Sequence, residues 1–361
     1  MRRYIVDTDA VARNLILIRE KADGAPVWAV VKGDGYGLGV KTLAELCRRG
    51  GVDRFAVTEV REAEALRESG NESEQILMLR PTDEPKELRR LLELGVILTV
   101  ASQHDAVALS GIAREMGVRA KAHLKIDTGM GRYGFLPEQK EAILSCYAYL
   151  DEIEYLGVYT HLHSAFCNRK SALRQAEALQ ATAEMIRAAG FLPGEVHCAN
   201  SSALFKLPEL AMDGVRVGSA ILGRLAFPNK LKKVGFCETS VEAIRWLPKG
   251  HTCGYGAGWK AKKPTQIAVL PVGWYHGFTV RYGDDLFRRR DSLRKIFSGL
   301  RQLIAPPRLT VTVDGRKCRV LGHVGMLHTV IDVTGKKITE ESAAVVEINP
   351  VQLRGTEIVL V

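Results

Sequence analysis

Hydrophobic residues recur along the first 225 positions in short runs that alternate with charged segments of helical spacing. The runs are VWAVVK (27–32), RFAVT (54–58), QILMLR (75–80), GVILTVAS (95–102), RAKAHLKIDT (119–128), EYLGVYTHL (154–162), EVHCAN (195–200) and GVRVGSAIL (214–222). Between most of them lie stretches such as EVREAEALRES and QAEALQATAEMIRAAG, whose composition favours helix. Short apolar strands interleaved with helices predict an α/β fold with a parallel sheet covered on both faces. Eight such strands are the number that closes a (β/α)8 TIM barrel, with its active site at the C-terminal strand ends; a doubly wound open sheet is the alternative.

From about residue 236 the pattern turns to β. TSVEAIRWL, QIAVLPVG, RLTVTV, KCRVLGHVG, HTVIDVT, AAVVEIN and EIVLV are β-branched runs separated by turn residues. In TVDGRKCRV, Asp314-Gly315 lies between alternating runs and predicts a type I′ hairpin, because both central residues need positive φ. The expected organisation is a barrel domain over 1–235 and a mostly-β domain over 236–361. DSLRKIFSGLRQLIAPP fits neither pattern. It carries Leu293, Ile296, Phe297, Leu300, Leu303 and Ile304 at helical spacing, Asp291 or Ser292 as a cap, and Pro306-Pro307 as a stop. Its other face holds Arg294, Lys295 and Arg301. Such a helix packs on its own domain or lies on a membrane or partner, and packing on its own domain is the expectation.

Composition adds limits. At 361 residues the chain exceeds the size at which one core usually stops growing, so two domains are expected. No apolar run approaches the roughly 18 residues that a membrane span needs. The start MRRYIVDTDAVARN has no apolar region of a secretory signal. Cys47, Cys146, Cys167, Cys198, Cys237, Cys253 and Cys318 are scattered without C-x-x-C spacing, which predicts reduced thiols and a cytoplasmic address. The net charge of +10 is concentrated in residues 281–320, where eleven Lys/Arg face four Asp/Glu. That favours anionic partners. No RNA-binding or zinc-finger motif accompanies it, and neither a nucleic acid nor a membrane partner is expected.

The candidate chemistry lies at the predicted strand ends. Lys32 closes the first strand in AVVKGDGYGLG, His161 falls in the sixth, Asn200-Ser201 follow the seventh, and Arg216 in the eighth leads to Gly218-Ser219. A barrel gathers these around one mouth, where they suit an anionic, electrophilic small molecule. A lysine partly removed from water and near other cations has a lowered pKa and becomes a nucleophile towards an aldehyde. Gly33, Gly35 and Gly37 would permit a tight turn beside a bound ring, with Tyr36 placed to reach a phosphate. His123, His163 and His197 have no carboxylate partners in the pattern; they are read as structural, and no metal site is expected.

AVVKGDGYGLG resembles the pyridoxal-phosphate signature of alanine racemases. HLKIDTGMGRYGF, GVYTHLHSA, HCANSSA, VRVGSAILG, CGYGAGWK, LPVGWYHGF and LGHVGML are similar to later motifs of that family, in the same order, over residues 29 to about 327. The N-terminal YIVDTDAVARN resembles the family's opening helix. The resemblance implies a fold-type III amino-acid racemase for alanine or a related amino acid. Lys32 would hold pyridoxal phosphate as a Schiff base and act as one catalytic base. Tyr255 would be the second, supplied across a homodimer with shared active sites. Tyr36, Ser201, Gly218 and Ser219 would hold the phosphate, with Asn200 beside them, His161 against the ring and Arg216 at the pyridine nitrogen. Arg132 and Met326 would bind substrate, and Lys125 matches a lysine that is carbamylated in some members. A tyrosine base needs cations or donors nearby, because its ordinary pKa is near 10, and His161 with Arg216 are the expected chain.

Departures from the family pattern cluster on the substrate side. Trp274 and His276 stand where it has a tyrosine and an aspartate, Leu327 where it has an acid, and Pro350 where a gate tyrosine is usual. Segment 283–307 is longer and more basic than the family's link. A fold-type III decarboxylase and a non-catalytic pyridoxal-phosphate-binding protein are the alternative readings.

Overall fold

A computed structural model describes residues 2–280, 289–304 and 309–361. The chain divides into two compact units, Thr8–Val234 and Met1–Asp7 with Gly235–Val361.

In the first unit the strands Val27–Val30, Arg54–Val57, Gln75–Met78, Leu98–Val100, Ala120–Lys125, Ile153–Tyr159, Glu195–His197 continued by Ala199–Asn200, and Val215–Val217 are all parallel to their neighbours. They form two sheets joined by a parallel bridge from Leu77 to Ile97. Val215–Val217 pairs with Val27–Val30 on one side and with Ala199–Asn200 on the other, so the eight positions close into the TIM barrel expected from the sequence, not an open sheet. Helices follow the strands, among them Val40–Arg49, Val60–Ser69, Gln103–Met116 and Arg169–Ala188. Their starts show ordinary capping: Ser102 accepts from the Asp105 amide and Asn168 from the Ser171 amide.

Strand alternation fixes what fills the barrel. Trp28, Val30, Ala56, Leu77 and Ile97 form one buried cluster. Fully burying such apolar side chains contributes about 1.5–3 kcal/mol each. Lys32 continues the 28–30–32 alternation beyond the apolar layer, which places its amine over the core at the C-terminal end.

The second unit is built on a nine-stranded sheet. Arg2–Val6 sits inside that sheet, antiparallel to Gly235–Ser240 and parallel to Glu357–Leu360. The first seven residues thus group with the C-terminal part of the chain, where sequence pattern had put them with the barrel. Arg2–Val6 is partly open at its two arginines and buried from Tyr4 to Val6, a pattern that suits either place, and only its pairing partners decide. Val313 pairs with Arg316 across Asp314 (φ 44) and Gly315 (φ 75), the two positive φ values of the expected hairpin. Asp314 keeps its conformation by accepting the Ala343 amide on its own carboxylate.

Helix Arg289–Ile304 occupies the segment that fitted neither pattern. Its apolar residues do not pack on its own unit: Leu293, Ile296, Phe297 and Leu300 are all exposed. Pro306-Pro307 and the side chains of Leu303 and Ile304 lie outside the described residues.

Candidate active site

A cavity of about 430 Å³ opens among the barrel's C-terminal strand ends and is lined by Lys32, Tyr36, His161, Asn200, Ser201, Arg216, Gly218 and Ser219, with Lys125 and Arg132. The barrel therefore gathers every site residue that the sequence placed on it. Four of the lining residues arrive by the period of two: Lys32 beyond Trp28 and Val30, Lys125 beyond His123, His161 beyond Tyr159, and Gly218 beyond Arg216.

The first loop does what its glycines suggested, by unusual means. Gly33, Asp34, Gly35 and Tyr36 have φ values of 63, 53, 61 and 55. A run of left-handed residues is costly for ordinary side chains, so glycine at alternate positions limits the strain. Glu62 fixes the run. Its buried carboxylate accepts the amides of Asp34 (3.1 Å), Thr58 (2.9 Å) and Glu59 (3.1 Å), tying the turn after the first strand to the end of the second. Burial, then the nearby Arg132 charge, lower the Lys32 pKa. Burial, then Glu62, push the Tyr36 phenol up to about 12, so it is a hydrogen-bond donor at neutral pH.

At the opposite wall, Asn200 is committed to local structure. Its Oδ1 accepts the amides of Ser202 and Ala203 (both 3.0 Å) and its Nδ2 donates to the Leu162 carbonyl (3.0 Å). Asn200 thus positions Ser201 and has little capacity left for a ligand. The Ser201 hydroxyl oxygen accepts the amides of Gly218 (3.1 Å) and Ala220 (3.3 Å), which leaves its proton to donate. A Cβ at Gly218 would run into the Tyr36 ring, so only glycine lets these two groups share the wall.

The sequence reading needs one correction here. Arg216 was expected to connect with His161. Its hydrogen bonds run instead to His197 Nδ1 (2.9 Å), the His197 carbonyl (3.1 Å) and the Thr160 carbonyl (2.6 Å). Because a guanidinium only donates, His197 Nδ1 must accept, and its Nε2–H then donates to His123 Nδ1 at 3.0 Å. Burial together with the Arg216 charge holds His197 well below its ordinary pKa and His123 down at about 3. Both rings are neutral in the barrel interior, His197 stacked on Trp28 and tilted against Tyr159, His123 edge-on to Trp28 and Tyr159. His197 and His123, read as structural, therefore fix the orientation of a cavity residue. His161 is held well below its ordinary pKa by burial, then by Arg216, Lys125, Arg132 and Lys32, and is neutral too.

Thr58, Leu79, Arg80, Tyr133, Tyr159 and Ser202 also line the cavity and were not singled out from sequence. Arg80 is anchored by the Thr58 carbonyl (3.0 Å) and by both oxygens of Glu87 (3.0 Å each). Its strand position, one beyond Leu79 in QILMLR, was the available signal. No described residue lining the cavity is acidic, whereas Lys32, Arg80, Lys125, Arg132 and Arg216 are basic types.

Lys125 is the most perturbed of these amines. Burial first, then Arg216 and Arg132, bring its pKa down to about 7. The unfolded chain would hold the proton up to the ordinary value near 10.5. Between pH 7 and 10 the unfolded state therefore binds more protons, and stability rises with pH through that window. Urea midpoints of cofactor-free protein in carbonate-free buffer should show this: wild type gains on Lys125→Met as pH rises, by at most about 1.4 kcal/mol per pH unit. A constant gap between the two would contradict a neutralised Lys125.

Asp127 shapes the neighbouring loop by accepting the amides of Gly129 (2.9 Å), Gly131 (3.1 Å) and Arg132 (3.1 Å), which sets where the Arg132 side chain starts.

Tyr255 and Met326 belong to the second unit and line a cleft of about 480 Å³ with His323, Leu327 and His328. Tyr255 stands on a short turn and is 78% exposed. Trp274 and Tyr275 donate their amides to the Gly325 and Met326 carbonyls (both 3.0 Å), so two of the departing motifs, GWYHG and GML, are hydrogen-bonded to each other. His276 is buried, and its Nδ1 accepts the Gly273 amide at 3.1 Å. It therefore closes the turn from inside and does not face a ligand.

Both units have known relatives. The profile of Alanine racemase, N-terminal domain, matches residues 6–225, and that of Alanine racemase, C-terminal domain, matches residues 235–358. The chain belongs to the alanine racemase family. An alanine racemase of Symbiobacterium thermophilum is 32% identical over 327 residues, covering 89% of this chain and 80% of that protein. Among solved structures, an alanine racemase of Clostridium difficile 630 superposes with a TM-score of 0.84 at 22% identity, covering 100% of this chain and 95% of the other. An alanine racemase of Bartonella henselae with covalently bound pyridoxal phosphate superposes with a TM-score of 0.82 at 19% identity, covering 100% and 99%.

Proposed function

We propose that the chain is a pyridoxal-phosphate-dependent amino-acid racemase that interconverts the L and D forms of alanine or a related amino acid, acting as a homodimer. The observation that carries this reading is the cavity itself, where a lysine of lowered pKa faces hydroxyl donors in a basic wall free of carboxylates. The residues fit the cofactor. The Ser201 hydroxyl proton, the Tyr36 phenol and the Gly218-Ser219 backbone would hold a phosphate, and Lys32 is the amine an aldehyde requires.

When bound, pyridoxal phosphate supplies an electron-withdrawing ring that stabilises negative charge at the substrate Cα. Everything else falls to this chain's residues. Arg132 binds and orients the substrate carboxylate, and Met326 offers it a backbone contact. Lys32 Nζ takes or returns the Cα proton on one face. Its lowered pKa leaves more of the amine unprotonated at neutral pH than in an ordinary lysine. The Tyr255 phenol of the second copy serves the opposite face, and exchange between the faces is what inverts the centre. Its high exposure, beside Met326, Leu327, Trp274 and Tyr275, supports a surface that a second copy covers. Arg216, held by His197 and Thr160, would face the pyridine nitrogen; it keeps its protons and gives none away, which favours return of the Cα proton over side reactions. Lys125, neutral in part near pH 7, is in the form that carbamylation requires. Cys47, Cys146, Cys198, Cys237, Cys253 and Cys318 are buried thiols, which supports a reducing, cytoplasmic setting.

The test is a panel of L-amino acids incubated with purified, cofactor-loaded protein, with the D form measured by chiral chromatography. Turnover is expected on alanine or a close analogue. Inactivity on the whole panel with cofactor bound would remove the racemase reading.

A further inference from the structure

Helix Arg289–Ile304 is not used by the site described above. Its sequence RRDSLRKIFSGLRQLI sets Leu293, Ile296, Phe297 and Leu300 at i, i+3, i+4 and i+7, so they form one stripe. Their exposures are 55%, 60%, 69% and 55%. Scattered apolar residues on a surface are ordinary, but four large ones on successive turns of one face form a patch. Every residue from Leu293 to Arg301 is exposed, so no face of this stretch is packed into the core of its unit.

The charge pattern selects the occupant. The helix carries five Arg/Lys against one acid, Asp291. At 3.6 residues per turn, Arg294 and Arg301 run along one border of the stripe, and Lys295 lies on the far side. A second copy of the helix would bring two strongly basic faces together. A nucleic acid would answer the charge and leave Ile296 and Phe297 in water. A surface of anionic phospholipid answers both, with the apolar stripe at the acyl boundary and the arginines among headgroup phosphates.

We infer that helix Arg289–Ile304 is a reversible anchor to anionic phospholipid membranes. This departs from the sequence-based expectation of no membrane partner. Among the described residues no helix is long and apolar enough to cross a bilayer, so the contact lies in the plane of the interface. The high basic content of 281–320, eleven Lys/Arg against four Asp/Glu, adds to the attraction.

The test uses the full chain loaded with cofactor. It is sedimented with vesicles of phosphatidylcholine alone and of phosphatidylcholine with one-third phosphatidylglycerol. Binding is expected only to the mixed vesicles, and high salt should weaken it. Arg294→Gln with Arg301→Gln should reduce affinity roughly 25-fold, from the attraction of two basic residues near an anionic surface. Ile296→Asp with Phe297→Asp should abolish sedimentation while racemase activity, the check on folding, is unchanged. Lack of binding to the mixed vesicles, equal binding to both kinds, or undiminished binding of the aspartate variant would overturn the anchor. So would a fall in molar mass of that variant by light scattering without lipid, which would assign the stripe to a second copy.

Discussion

Lys32→Ala is expected to lower racemisation by roughly four orders of magnitude or more and to end covalent retention of pyridoxal phosphate. The size follows from two jobs falling on one amine. Lys32 stands beyond Trp28 and Val30 on the inward side of its strand, at the floor of the only described cavity that joins an amine to the Ser201 and Tyr36 donors. Burial lowers its pKa, so the wild-type side chain attacks and accepts protons more readily than an ordinary lysine. Alanine removes both capacities and leaves the phosphate donors in place, so the variant should still bind the cofactor reversibly. Added methylamine should restore part of the lost rate by replacing the missing base. Initial rates of D-alanine formation, with and without the amine, measure this. Near-wild-type turnover in the variant would show that the base lies elsewhere.

Tyr255→Phe should lower racemisation by about 10²–10⁴ while leaving the cofactor spectrum unchanged. One oxygen is removed from a ring that is largely exposed in its own chain, so folding has little to lose. The loss should also be one-sided. Lys32 still works its own face, so one enantiomer should go on exchanging its Cα hydrogen with solvent deuterium without inverting. Proton NMR in deuterium oxide separates these outcomes. If both enantiomers exchange and invert at wild-type rates, Tyr255 is not a base. A decarboxylase would instead release carbon dioxide, and a non-catalytic carrier would show neither exchange nor inversion in the wild type.

Much of this site was legible before the fold. Periodic strands fixed the barrel, and alternation within them aims Lys32, Lys125, His161 and Gly218 at its mouth. Residues whose roles depend on neighbours in space were not legible. His197 and His123 lie on strands separated by Ile153–Tyr159 and meet only because both point into the barrel, where burial, then the Arg216 charge, keep them neutral. Glu62 reads as one more acid in a helical run; its buried carboxylate becomes a tie between two loops only once parallel strands set those loops side by side. Asn200 shows the reverse case, where a polar residue at a strand end suggested a ligand contact, but the helix behind it took up the amide oxygen and the Leu162 carbonyl took up the amide nitrogen. The exposed stripe of Arg289–Ile304 was misjudged for a similar reason. Spacing shows that a helix has an apolar face and does not show what covers it.

The most direct measurement is borohydride reduction of the purified, cofactor-loaded protein followed by peptide mapping. A visible absorption band should vanish on reduction, and the pyridoxyl group should be found on the peptide carrying Lys32. A preparation that takes up no pyridoxal phosphate, or a label on any other lysine, would contradict the assignment of this barrel mouth.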